Sequence, residues 1–261
     1  MKTIAVINLK GGTAKTCTTI NLAAIFARNH GKRVLIIDAD SQANTTEFLG
    51  GDAAHGSLSA VLRRADKTEC IGSFAVANVQ PVELPNVWLL AADDSLMDLD
   101  LTKVELGSVQ IGSLRAMCAA IQERDIYDIC LIDCPPAFNA ASAAALMAAD
   151  SVLIPIKLDA FALRGMGNLM RQIANMRQIN PGLKLLGILP TMWYKSATIT
   201  DAEEQLRAAG LPVLPHIRRS NAVDAMTFAQ QPLIKSSPRS GACRDYKALA
   251  MQLMKEVQGN G

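Results

Sequence analysis

Six apolar runs recur along the chain, each short and unbroken. They are Thr3-Ile4-Ala5-Val6-Ile7-Asn8-Leu9, Arg33 to Asp38, Val87 to Ala91, Tyr127 to Asp133, Ser151 to Ile156 and Leu183 to Leu189. Runs of this kind fit strands buried on both faces, as in a parallel sheet, better than half-exposed antiparallel strands. Pro212-Val213-Leu214 reads as a short edge strand. Between the runs the spacing turns helical. Ile20 to Arg28 is amphipathic. Thr102 to Arg124 predicts one or two helices, with Gly107 and Gly112 as weak points. Asn139 to Ala149 is alanine-rich, and Phe161 to Ile179 carries a Met- and Leu-rich stripe that reads as core or dimer packing. Asp201 to Ala209 and Ala242 to Val257 complete the set. Strands alternating with helices predict an α/β fold, a doubly wound, mainly parallel sheet flanked by helices. Gly50 to Pro85 is the least regular stretch and reads as short helices and loops at the ligand-binding end of the sheet.

The 261 residues, 50% of them hydrophobic, suffice for one large domain over 1–261, with no repeat and no linker. No apolar run approaches the roughly 18 residues of a membrane span. The first strand begins at once, so neither a signal peptide nor an N-terminal helix-turn-helix is expected. Cysteines at 17, 70, 118, 130, 134 and 243 form no C-x-x-C pair and read as reduced thiols of a cytoplasmic protein. The net charge of +2 does not announce a nucleic-acid binder. From Lys184 onward, however, ten Lys/Arg face six Asp/Glu, so this third carries +4 and the first 183 residues −2.

The chemistry concentrates at Lys10-Gly11-Gly12-Thr13-Ala14-Lys15-Thr16, between the first strand and the first helix. A glycine turn in that context gathers backbone N–H groups on an anion, and the positive end of the helix points to the same place. Lys15 supplies a point charge for β- and γ-phosphates, and the Thr16 hydroxyl suits Mg²⁺. A bare tight turn is the plainer reading, but strand, helix and two lysines together argue against it. Two apolar runs end in acids where an open parallel sheet binds ligands: Asp38-Ala39-Asp40-Ser41-Gln42 and Asp133-Cys134-Pro135-Pro136. Asp38 and Asp133 are candidates to hold Mg²⁺ through water, and Asp40 to orient a water on the γ-phosphate. A strand-terminal Asp alone would more often be a cap or turn residue.

In this order, Lys-Gly-Gly-x-x-Lys-Thr, Asp-x-Asp-x-Gln and Asp-Cys-Pro-Pro resemble the motifs of the ParA/MinD class of P-loop NTPases with a deviant Walker A loop, and of ParA/Soj partition ATPases in particular. Ile217-Arg218-Arg219-Ser220 and Pro238-Arg239-Ser240 sit where that family has segments near the adenine. The resemblance implies a homodimer that sandwiches two ATP molecules, with Lys10 reaching the partner's phosphates. Catalysis would fall to Lys10, Lys15 and Asp40. Nucleotide contacts would come from Lys10, Gly11, Gly12, Thr13, Ala14, Lys15, Thr16, Cys17, Met192, Ile217, Arg218 and Arg219, and Mg²⁺ contacts from Thr16, Asp38 and Asp133. It also implies non-specific binding of double-stranded DNA on the nucleoid and stimulation by a ParB-like centromere-binding protein. Lys195, Arg218, Arg219, Lys235 and Arg239 are the candidate phosphate-neutralising contacts, Arg218-Arg219 the best pair.

Three residues depart from the family pattern. Ala14 stands where glycine is usual, Cys17 replaces a threonine whose hydroxyl faces the α-phosphate, and Ser41 replaces a proline. None removes a charge. Two alternatives compete with a partition ATPase. One is a nucleotide-dependent DNA scaffold with little hydrolysis. The other is a MinD-like positioning ATPase, whose membrane role would need a basic amphipathic C-terminus. Residues 250–261 hold one lysine, one glutamate and no aromatic residue, so no membrane contact is expected. A cluster-carrying relative would need Cys134 exposed.

Overall fold

The computed structural model describes residues 1–63, 74, 77–105, 107 and 109–258, with the backbone alone at 105, 160–163 and 256–258. Cys70 lies outside the described residues. In chain order the elements are β1 (Lys2–Val6), α1 (Lys15–His30), β2 (Val34–Asp38), α2 (Asn44–Phe48), α3 (Leu58–Arg63), β3 (Gln80–Pro81), β4 (Val87–Leu90), a 3-10 turn (Asp94–Asp98), α4 (Leu101–Glu105), α5 (Gly112–Glu123), β5 (Ile129–Asp133), α6 (Ala140–Ala148), β6 (Ser151–Lys157), α7 (Ala160–Ile179), β7 (Lys184–Thr191), α8 (Ala197–Ala208), α9 (Asn221–Ala229), α10 (Leu233–Ser236) and α11 (Gly241–Gln258).

The strands lie in the order β3-β4-β2-β5-β1-β6-β7. All neighbours are parallel except the short edge strand β3, which runs antiparallel to β4. The unbroken apolar runs are explained by a sheet covered on both faces. Ile4 and Val6 of β1, Val34 and Ile36 of β2 and Ile129 and Leu131 of β5 pack with Phe26 of α1 and Tyr246 and Leu249 of α11. Their alternates, Ala5, Leu35, Ile37, Cys130 and Ile132, pack with Leu114 of α5, Leu146 of α6 and Ile173 of α7. Side chains alternate in direction along a strand, so one apolar run feeds two cores. Helix α1 ends where Gly31 takes a left-handed conformation (φ 62°) and its N–H closes on the Phe26 carbonyl.

Of the one or two helices predicted over 102–124, the structure has two, α4 and α5, with Gly107 at φ 75° between them. Val213 makes a single parallel bridge to Ile188 instead of an edge strand. Three helices went unpredicted, α2, α9 and α10. α9 is nine residues long with only Met226 buried, and α2 and α10 span about one turn each, so none carries a long apolar period.

Candidate functional site

The loop after β1 is pinned before it turns. The Asn8 amide donates to the Pro155 carbonyl at 2.7 Å, and its carbonyl oxygen accepts the Lys10 N–H at 3.0 Å. Gly12 (φ 68°) and Ala14 (φ 65°) then bend the chain through left-handed conformations, and Ala14 becomes the N-cap of α1 without any side-chain cap. That is cheap for Gly12, whereas an L-residue such as Ala14 is held there against about 1–2 kcal/mol. The arrangement leaves the N–H groups of the first turn of α1 open to an anion. From the far side, Thr191 at the end of β7 donates to the Thr13 carbonyl at 3.1 Å. Lys15 is 7% exposed, and its Nζ sits 3.4 Å from the Lys10 carbonyl. Burial lowers its pKa, opposed by the negative charge of Asp133 and, further out, Asp40.

Parallel register brings the acids to this loop. Asp133 ends β5, opposite Val6 of β1 on one side and Asp38 of β2 on the other. Strand β2 is thus one strand removed from β1, and Asp38 reaches the site alongside Asp133. The Thr16 and Thr45 hydroxyls both donate to Asp133 Oδ2 at 2.7 Å. The Thr46 N–H and hydroxyl both donate to Asp38 Oδ2 at 2.8 Å, and the Asp40 N–H to Asp38 Oδ1 at 3.2 Å. Asp40 itself is half-buried, and its Oδ1 accepts the Gln42 N–H at 3.1 Å. Both buried acids are pushed well above the usual carboxylate range. For Asp38 the causes are burial and then the charge of Asp133. For Asp133 burial dominates, and the Thr45, Thr16 and Lys15 contacts oppose it.

Asp133 Oδ1 is buried with no hydrogen-bond partner. A native orphan of this kind points to a missing ligand. The neighbouring donors are hard oxygens, Thr16 Oγ1 and two carboxylates, which suit Mg²⁺. Among the described residues no cluster of three or more His, Cys, Asp or Glu could cage a metal unaided. Mg²⁺ characteristically takes its remaining ligands from water and substrate phosphates, so the residues fit that ion.

Lys10, which opens the loop, is engaged elsewhere. Its Nζ pairs with Asp159 Oδ2 at 2.6 Å, where the chain passes from β6 into α7. It is held within its own subunit, not extended into solvent.

On the other side of the loop lies a cleft of about 400 Å³ lined by Ala14, Cys17, Met192, Ile217, Arg219 and Asp224, among others. Met192 holds φ 51°, a third left-handed non-glycine beside the site after Ala14 and Ala43. Cys17 is half-buried, and burial followed by the charges of Asp133 and Asp224 raises its pKa to about 11, so it is a neutral thiol. Arg218 is not a free cation. Its Nε and Nη2 bind the two oxygens of Asp245 at 2.7 Å each, and its backbone N–H binds the same carboxylate at 3.0 Å. A Cβ on Gly241 would lie 2.5 Å from Arg218 Cδ, so any larger residue there would make the Arg218 side chain shift. The predicted Arg218-Arg219 pair is therefore divided: only Arg219 presents its guanidinium without a partner among the described residues. Lys195 and Arg239 are exposed, and Lys235 lines a separate cleft with Glu83, Leu84 and Pro232.

Residues 1–185 match a family model described as an AAA domain. The chromosome-partitioning ATPase Soj of Thermus thermophilus is 35% identical over 266 residues, covering 99% of this chain and 97% of its own. The chromosome partitioning protein ParA of Caulobacter vibrioides is 35% identical over 206 residues, 77% of this chain and 73% of its own. The chain belongs to the ParA/Soj family of P-loop ATPases. Among solved structures, cobyrinic acid a,c-diamide synthase from Mycobacterium smegmatis with bound ATP analogue and magnesium superposes with a TM-score of 0.76 at 28% identity, covering 100% of this chain and 97% of that one.

For a ParA/Soj-family ATPase the acids and the loop are the expected parts, and the structure brings Lys15, Thr16, Asp38 and Asp133 together as the sequence predicts. It adds parts the sequence did not announce. Thr45 and Thr46, at the start of α2, orient the two acids, and Asp159 holds Lys10. Asp245 claims Arg218. Only Thr45-Thr46 left a readable trace, two adjacent hydroxyl residues just beyond the Asp38–Gln42 motif. Cys134 is fully buried and its thiol is pushed far up by burial, which removes it as an exposed cluster ligand in this ATPase. No helix among the described residues is long and apolar enough to cross a membrane.

Proposed function

We propose that this chain is a Mg-ATP-dependent dimerising ATPase of DNA partition, whose ATP-bound dimer binds double-stranded DNA without sequence preference and whose hydrolysis a ParB-like partner stimulates. The observation that carries the nucleotide part is the orphaned Asp133 Oδ1 beside the Thr16 hydroxyl. Thr16, with Asp38 and Asp133 acting through water, would hold Mg²⁺. The metal supplies charge neutralisation at the β- and γ-phosphates. Lys15 and the open N–H groups of α1 hold the phosphates, and Asp40 orients the attacking water. The nucleoside occupies the cleft between Met192, Ile217 and Arg219.

The dimeric part rests on Lys10. Lys10 stands before the glycine turn and Lys15 after it, and with its ammonium directed to Asp159 it has no short route to its own nucleotide's γ-phosphate. Reaching a partner's phosphates requires the 2.6 Å pair with Asp159 to open. Triphosphate on the partner offers a stronger anion than one half-exposed carboxylate. The partition role follows the relatives' names.

A phosphate-release assay with ATP alone, with DNA and with DNA plus the centromere-binding partner tests the reading. Slow basal release that rises when partner and DNA are both present supports it. Nucleotide-dependent DNA binding without release under any condition identifies the low-hydrolysis scaffold, for which the strained Ala14 in the phosphate loop would be the reason.

A further inference from the structure

The nucleotide cleft contains one acid that no role above uses. Asp224 lies in the first turn of α9 and lines the cleft with Cys17, Met192, Ile217 and Arg219. It is the only carboxylate in that lining. Its side chain is exposed and makes no hydrogen bond or ion pair with any described residue; only its backbone carbonyl is engaged, by the Thr227 hydroxyl at 2.7 Å. Helix α9 does not need it as a cap, because Ser220 Oγ already accepts the Ala222 N–H at 3.3 Å.

An anion in a triphosphate site demands a reason, because it repels the phosphates unless it faces a different part of the ligand. Its position indicates which part. Asp224 acts electrostatically on the Cys17 thiol, which stands just inside α1 after Lys15 and Thr16. Lys15 and the loop take the β- and γ-phosphates, and Cys17 stands at the α-phosphate end of the loop. The next unit of the ligand beyond Cys17 is the sugar. A carboxylate is acceptor-only and can take two hydrogen bonds at once. A ribose presents two adjacent hydroxyl donors, and an acid placed on a ribose hydroxyl is a recurrent device of nucleotide sites. The base is served differently, by the apolar side chains of Met192, Ile217 and Val223 in the same lining.

We infer that Asp224 is the sugar-reading residue of this cleft, accepting the 2′- and 3′-hydroxyls, so that the site selects ribonucleoside over deoxyribonucleoside triphosphates. This rests on the proposed nucleotide site and adds a specificity to it.

Calorimetric titration of the full chain with Mg²⁺ and ATP, 2′-deoxy-ATP, 3′-deoxy-ATP or ITP tests the assignment. Hydrogen bonds to a charged acceptor predict that wild type prefers ATP over at least one deoxy analogue by about tenfold or more. Asp224→Ala should bring that ratio below about twofold by weakening ATP, leaving the deoxy analogues as tight as before or tighter. Asp224→Asn keeps one acceptor oxygen and should fall between the two; it also carries the test if the alanine variant does not fold. Equal wild-type affinity for ATP and both deoxy analogues would overturn the inference. So would variants that weaken every nucleotide alike, the mark of a merely structural acid. Variants that change the ATP-to-ITP ratio while preserving the ATP-to-deoxy ratio would move Asp224 to the base edge and likewise overturn it. Failure of wild type to bind any of the four would instead count against the nucleotide site itself.

Discussion

On the phosphate side of the cleft, Lys15, Thr16, Asp38 and Lys10 each hold a bond to a neighbour, whereas on the nucleoside side the side chains of Arg219 and Asp224 reach none among the described residues. The first side is assembled from adjacent strand ends, where parallel register places Val6, Asp133 and Asp38 in one row. The second is assembled from the end of β7, an irregular segment and one short helix. A site that must stabilise concentrated phosphate charge gains from groups already in place. A site that grips a sugar and a base can rely on side chains that become ordered with the ligand, at some cost in affinity.

The largest expected effect lies on the preassembled side. Lys15→Ala removes the buried cation at the turn into α1, and nothing nearby replaces it. ATP affinity should fall at least about a hundredfold, ~2.7 kcal/mol by affinity arithmetic, with the apo fold retained. Titration calorimetry reads the first and circular dichroism the second. A loss within about threefold would mean that the phosphates bind elsewhere.

On the nucleoside side the two adjacent arginines should part company. Arg219→Glu should weaken duplex DNA binding alike for all sequences and reduce the salt slope of binding by roughly 0.9 or more per lost phosphate contact. Arg218→Ala should instead loosen the start of α11, because it strands Asp245, which is mostly buried. Its cost should appear in denaturant unfolding, about 1–3 kcal/mol, more than in the salt slope. Equal behaviour of the two variants on DNA would mean that the Arg218–Asp245 clamp opens when DNA binds.

The smallest effect concerns the loop's strain. Ala14→Gly relieves a left-handed alanine at φ 65° but returns freedom to the unfolded chain. The net should be a gain of about 0.5 kcal/mol in stability, measured by urea unfolding. A clear loss would show that the methyl group packs usefully in the loop.

The contrast between the two sides also explains what the sequence disclosed. Lys15, Thr16, Asp38 and Asp133 were legible because each sits at a fixed offset from an apolar run, and the chain's strongest periodic signal positions them. The two cores were legible for the same reason, since buried parallel strands read as unbroken apolar stretches. Asp159 and Asp245 were not, and Thr45 left only a trace. Their importance comes from which strand ends and helix starts become neighbours, and residues 88, 149 and 27 positions apart in sequence are paired by the fold alone. Helix α9, with Asp224 on it, escaped because it is short and buries Met226 alone, so its apolar residues set up no helical period. The Arg218-Arg219 doublet reads as one charged patch because nothing in the sequence shows that Asp245, 27 positions on, pairs with Arg218.

Lys10 joins the phosphate side of one subunit to a proposed partner, and its behaviour is the most direct test of the account. Sedimentation of wild type and Lys10→Ala, each with ADP and with a non-hydrolysable ATP analogue, decides it. Wild type should be monomeric with ADP and dimeric with the analogue. Lys10→Ala should bind the analogue and remain monomeric. A Lys10→Ala dimer as stable as that of wild type would contradict the cross-subunit role and leave Lys10 as the in-subunit partner of Asp159.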